Sequence, residues 1–172
     1  MSRDTERTNG NGKKFAKGMQ VVHHLYGVGR VEKIEAKSIL GKTQRFSEVS
    51  FQEGKLKIMV NLDQQQNLIR SLIAPNEVPK VLKFIGKYSP NKTVKSSERY
   101  VENMRKIKTA DIYKFAEVIK DLIDLSKVKK LTPKEQEMLD QSRNILTEEF
   151  CQVKDITKEK AEDMLSKYCC KN

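Results

Sequence analysis

Tryptophan is absent from this chain of 172 residues, and aromatic residues of all kinds make up only 6%. A nucleic-acid groove paved with stacking rings therefore has little to be built from. Cysteine is scarce as well. The three present, Cys151, Cys169 and Cys170, all fall late, and a bond between the adjacent pair would be badly strained. An odd number so placed makes no disulfide framework and suits a reducing cytosol. Cys169 has the spacing of a prenylation signal, but Lys171 is not aliphatic, so reduced thiols on a frayed terminus are expected. Long apolar runs are missing too: nothing approaches the ~20 residues of a membrane span, and hydrophobic residues total 37%. Residues 1–18 are polar and lack the apolar core of a secretory signal. The expectation is a cytoplasmic monomer without membrane contact.

What is abundant is positive charge. Lys and Arg total 34 against 23 acids, for a net charge of +11. Residues 92–130 hold 11 basic and 6 acidic side chains, while 131–172 hold 7 and 9. Such a surplus concentrates polyanions near the surface and makes their binding salt-dependent. A merely solubilising surface is the competing explanation.

The hydrophobic pattern changes period partway along. Residues 1–14, with Asn9-Gly10-Asn11-Gly12, show no periodicity and read as a disordered basic arm. From Phe15 to about Arg70 the pattern is of short strands. Met19 to Val22 is the first, followed by a Gly27-Val28-Gly29 turn. Val31, Ile34 and Ala36 mark a second strand with an irregularity, because the alternation slips there. Gly41-Lys42 marks a hairpin tip before Phe46, Val49 and Phe51. Leu56, Ile58 and Val60 then alternate with Lys57 and Met59, and a last strand covers Leu68 to Arg70. Five such strands predict a small SH3-like or Tudor-like barrel. The remainder is helical. Val78, Val81, Leu82 and Ile85 predict a short helix, and Ser89-Pro90-Asn91-Lys92 then marks a boundary. Helices follow near Ser97–Lys108, Asp111–Ser126 and Thr157–Tyr168, and Thr132-Pro133-Lys134-Glu135 signals another helix start. The fold class expected is α+β: a β-barrel domain over 15–88 and an all-α domain over 89–172.

Two motifs invite enzymatic readings. Ala36 through Gly41-Lys42-Thr43 satisfies a permissive P-loop pattern. Phosphate binding requires that loop to open a helix, whereas Phe46, Val49 and Phe51 mark a strand next. His23-His24 could suggest a metal, but adjacent strand residues point to opposite faces and chelate one ion poorly. Packing or surface histidines are expected instead. No Ser or Cys nucleophile has a local signature, so no enzyme, cofactor or metal is expected. Lys92, Lys95, Arg99, Arg105, Lys106 and Lys108 form a cluster suited to tracking DNA phosphates. A charged, solvated helix face fits the same residues.

Taken in order, several segments resemble one family. Phe15-Ala16-Lys17-Gly18, Val21 to His24, Gly27-Val28-Gly29 and Val31 to Glu35 are similar to the opening of the CarD/CdnL family. Leu56–Val60, Ile69-Arg70, Glu77 to Leu82, Glu98-Arg99-Tyr100, Phe115 to Leu122 and Leu131 to Leu139 continue the match. The resemblance implies a Tudor-like domain that docks on the RNA polymerase β subunit. It also implies a helical domain that contacts promoter DNA at the upstream edge of the transcription bubble and modulates open-complex stability. Lys37 and Ile39, and Met59 on the fourth strand, fall where family members contact polymerase, and Lys57 beside Met59 is expected to join them. Lys37 stands for a frequent arginine, and Met59 for a residue that is often basic.

The chain departs from the family most on the DNA side. A tryptophan commonly wedges at the bubble edge there, and Ser96 occupies that position. Glu98, Val101 and Gln136 replace residues that are often basic, while Arg99 is kept. DNA contact is therefore expected mainly through phosphates. An RNA- or ribosome-binding basic module is the other class these residues allow.

Overall fold

Alternating apolar residues build the first unit, which ends at Leu72, and helical periodicity builds the second, which begins at Ile73. In this computed structural model the described residues are 15–63, 69–90 and 96–169. The expected N-terminal arm, Lys92, Lys95, Leu68 and Cys170 lie outside them.

The strands of the first unit are β1 (Gln20–His23), β2 (Gly27–Ile39), β3 (Lys42–Phe51), β4 (Leu56–Asn61) and β5 (Ile69–Ser71). They pair antiparallel in the order β4-β3-β2-β1-β5. The expected barrel is thus an open sheet, with β4 and β5 at its edges. At three and four residues, β5 and β1 offer only a short ladder at that end. Val21, Val31, Val49, Phe51, Val60 and Ile69 form the core, with Ile34, Leu56 and Ile58 packed against it. Each such side chain contributes about 1.5–3 kcal/mol on full burial.

Two glycine positions explain the path of β2. The predicted turn at Gly27–Gly29 is instead the start of the strand, and the reversal falls at His24–Tyr26. Gly29 is needed inside the strand because the Phe51 ring lies on it. A Cβ there would stand 2.5 Å from that ring and 2.8 Å from the Ser50 carbonyl oxygen. Gly41 serves the tip. Ile39 pairs with Lys42, and Leu40 and Gly41 have φ of 51° and 75°, the geometry of a tight two-residue hairpin. A strand-turn-strand cannot present a helix N-terminus, so the P-loop reading is closed.

The second unit contains α1 (Val78–Lys87), α2 (Ser96–Lys108), α3 (Ile112–Ser126), α4 (Pro133–Lys154) and α5 (Lys158–Cys169). The start signals act as expected. Asp111 Oδ1 accepts from the backbone N–H groups of Tyr113 and Lys114 at 2.8 and 3.1 Å. Thr132 and Glu135 form a reciprocal capping box ahead of Pro133. Val81, Ile85, Phe115, Ile119, Leu122, Leu146, Phe150 and Leu165 are among the buried residues, so the apolar stripes do meet. The boundary expected at 88/89 falls instead at 72/73. Helix α1 packs on α3 and α5, and the Phe84 ring meets Tyr113 edge-on at 5.3 Å. No described helix is long and apolar enough to cross a membrane.

Gly29→Ala is expected to destabilise the sheet by about 1–3 kcal/mol, the cost of overpacking against a fixed ring. Urea unfolding monitored by circular dichroism measures it.

Candidate functional site

A single register shift determines which residues the sheet presents to solvent. Val31 pairs with Val49, but Lys33 pairs with Glu48, so β2 carries one extra residue at Glu32. This is a β-bulge, and it reverses the inward and outward parity of everything beyond it. Val31 before the bulge is buried, and Lys33, Glu35, Lys37 and Ile39 after it share the opposite face. On the neighbouring strands, Glu48 lies beside Lys33 and Met59, and Phe46 beside Glu35 and Asn61. Lys57 is two residues from Met59 and so faces the same way.

All four residues expected to touch a protein partner are therefore on one face. Ile39 and Met59 are 46% and 45% exposed. Lys37 Nζ lies 3.2 Å from Met59 Sδ and 2.7 Å from Glu35, which also pairs with Lys33. Hydrogen bonds from Lys33 and then Lys37 hold the Glu35 carboxyl well below its usual range. Lys57 Nζ reaches Glu48 at 3.1 Å. Among the described residues, β2 beyond Val31 and β3 before Arg45 have each other as their strand partners. They form a two-stranded arm ending at Leu40, which is 99% exposed. The sequence marked this tip as a turn and gave no sign that its apolar side chain would stand exposed.

The helical basic cluster divides. Arg99 turns inward, and its Nη2 and Nε donate to Glu135 Oε1 at 2.8 and 3.2 Å. Side-chain exposures there are only 14% and 2%. Burial alone would raise the Glu135 pKa, but the Thr132 backbone N–H, Arg99 and the Thr132 hydroxyl together hold it low. Lys106 is also inward, 3.1 Å from both Glu117 and Asp121. Arg105 is exposed but clamped to Glu102 at 2.7 Å, and Lys108 is exposed at the end of α2. Lysines outside the expected set stand out in compensation. Lys127, Lys129, Lys130 and Lys134 are exposed around the α3–α4 connection, with Lys134 5.9 Å above the Tyr100 ring. The run from Lys127 to Lys130 without an acid was the sequence signal for them.

The histidines pack, but not on opposite faces as two adjacent strand residues would: His23 closes β1, His24 opens the turn, and the two rings lie together. His23 and His24 are 3% and 6% exposed, with their rings stacked at 4.5 Å. His23 Nδ1 accepts the Leu25 N–H at 3.1 Å, and burial with the neighbouring His24 lowers its pKa to about 4. Among the described residues no group of three or more His, Cys, Asp or Glu is placed to hold a metal ion.

Removing Arg99 would strand the buried Glu135 carboxylate. Arg99→Ala is expected to cost about 3–5 kcal/mol in chemical denaturation. Arg105→Ala, on the surface, should leave the unfolding midpoint unchanged.

Comparison with known proteins agrees with these two units. Residues 15–73 match the CarD-like/TRCF RID domain, and residues 80–166 match the CarD C-terminal domain. A protein of Bacillus subtilis (strain 168) named "Putative transcription factor YdeB" is 29% identical over 147 residues, 83% of this chain and 94% of that protein. Sheet, helices and both matched domains follow one another in the same order along the chain, which belongs to the CarD family of transcription regulators.

Proposed function

We propose that this chain is an adaptor that grips the RNA polymerase β subunit with its sheet and promoter DNA with its helices. By doing so it modulates the stability of the open promoter complex. The observation that carries the reading is the β2–β3 arm. A leucine at a tip with positive φ is sterically unfavourable, and full exposure adds a second cost. A turn needing only to close would favour Asn-Gly. Leu40, Ile39 and Met59 give such an arm an apolar contact surface, and Lys37 and Lys57 give it charge for orientation.

DNA contact falls to phosphates. Lys108, Arg105 and the lysines of the α3–α4 connection are among the outward cations, joined in this reading by Lys92 and Lys95. Arg99 and Lys106 act one step back, by fixing α2. With serine at position 96 and no tryptophan in the chain, DNA affinity comes from charge and tethering rather than an aromatic wedge. Two weak contacts on one molecule reinforce each other through effective concentration.

Leu40→Asn separates docking from folding. Its stability is expected to hold or rise by about 0.5–1 kcal/mol, because Asn tolerates positive φ. Affinity for purified polymerase should fall about tenfold in a titration, and unchanged affinity would remove the arm from the interface. For DNA, replacing both Lys129 and Lys130 by Gln should weaken binding to unrelated duplexes equally. The slope of log affinity against log salt should drop by roughly two if each meets a phosphate.

A further inference from the structure

One residue of the outward sheet face carries a side chain whose chemistry can change. Met59 lies on β4, at an edge of the sheet, where no described strand lies beyond it. It is 45% exposed. Met19, Met104 and Met164 are half-buried, Met19 against the sheet core, and Met138 is only 4% exposed. Oxidation of a thioether requires the oxidant to touch sulfur, so susceptibility follows exposure. Met59 leads the described methionines.

The surroundings of the sulfur make its oxidation consequential. Lys37 Nζ donates to Met59 Sδ at 3.2 Å and pairs with Glu35 at 2.7 Å. A thioether is a weak acceptor, so the first of these contacts holds the ammonium loosely. Across the ladder Met59 faces Glu48, which Lys57 engages at 3.1 Å. Met59 thus sits between the two lysines that give this face its charge.

Oxidation acts on two contact residues at once. A peroxide transfers one oxygen atom: the S–O bond forms as the O–O bond breaks, and sulfur gives up two electrons. The departing hydroxide takes the proton of the transferred oxygen and leaves as water. A flexible apolar side chain becomes a polar, chiral one. The new oxygen is a strong acceptor, and Lys37 is the donor already beside it. An apolar contact is lost, and a cation available for orienting a partner is drawn in.

We propose that Met59 is a reversible oxidation site whose sulfoxide releases the sheet from its protein partner. A peroxide forms the sulfoxide. A dithiol-dependent sulfoxide reductase removes it, two thiols becoming one disulfide while the oxygen leaves as water. The switch rests on the docking of this face on polymerase, proposed above, and adds a redox control to it.

The test uses the full chain and purified polymerase, with hydrogen peroxide as oxidant. Peptide mapping by mass spectrometry should find Met59 oxidised roughly tenfold faster than Met138, and faster than the half-buried three. In guanidinium chloride the difference should vanish, because the fold creates it. At a dose where mapping finds Met59 oxidised and the other described methionines intact, dithiothreitol is added to restore the cysteines. This chain should bind polymerase about tenfold more weakly than untreated chain, and methionine sulfoxide reductase should restore the affinity. Met59→Leu is the control: whatever its starting affinity, peroxide should not alter it. Met59 oxidised no faster than Met138 would overturn the proposal. So would undiminished affinity of the oxidised native chain, or an equal loss in Met59→Leu. An untreated native chain that fails to bind polymerase overturns the docking itself and the switch with it, and this is seen before any peroxide is added.

Discussion

One extra residue in β2 decides what this protein shows to others. Up to Val31, odd-numbered residues of the strand point into the core, and from Lys33 onward they point outward. Glu32 sits at the change, and its Oε1 accepts a 2.6 Å hydrogen bond from the Ser50 hydroxyl. Delete that residue, and Lys33 would be turned toward the core side of the sheet, while Ile34 would leave it. Burying a charge without a partner costs more than the local loss of a ladder bond. The bulge is thus held in place by the whole hydrophobic pattern beyond it, and the contact face follows from it.

The helical unit has a comparable fixed point in Glu135. Its carboxylate closes the capping box of α4 and also receives the Arg99 guanidinium from α2. A second buried carboxylate, Glu149, accepts the Ile73 N–H at 2.9 Å where the unit begins. Helix α2 shares few apolar stripes with its neighbours, so paired charges carry much of its attachment. Lys106, reaching Glu117 and Asp121 on α3, extends the same logic one helix turn at a time.

Much of this was legible in the sequence, and the exceptions share a cause. Pro133 after Thr132 with Glu135 three residues later specifies a helix start locally, and the slip in alternation after Val31 specifies the bulge. The allegiance of α1 was not legible, because its apolar face is the same whether it covers a sheet or packs on α3 and α5. Gly27 to Gly29 reads as a turn in sequence, and only the Phe51 ring explains a strand glycine there. Arg99 resembled a surface cation because its partner lies 36 residues away. Wherever the deciding neighbour is distant, residue type alone leaves two answers open.

The inward turn of those cations strengthens the case for a basic surface. Arg99, Lys106 and Lys120 are withdrawn from solvent, with side-chain exposures of 14%, 12% and 3%. Glu117, Asp121, Asp124 and Glu135 are withdrawn with them, at 13%, 13%, 14% and 2%, and Glu149 is fully buried. Among these described residues the anions withdrawn number five and the cations three. Each pair hidden together leaves the net charge of the chain untouched, so the excess acid inside becomes excess base outside. Long-range attraction of a polyanion depends on the surface field and is screened within about 8 Å of solvent at physiological salt. Lysines that keep their charge in water, as around the α3–α4 connection, contribute to that field, and internal ion pairs scarcely do. A chain with these internal pairs therefore presents a more positive helical surface than its composition implies.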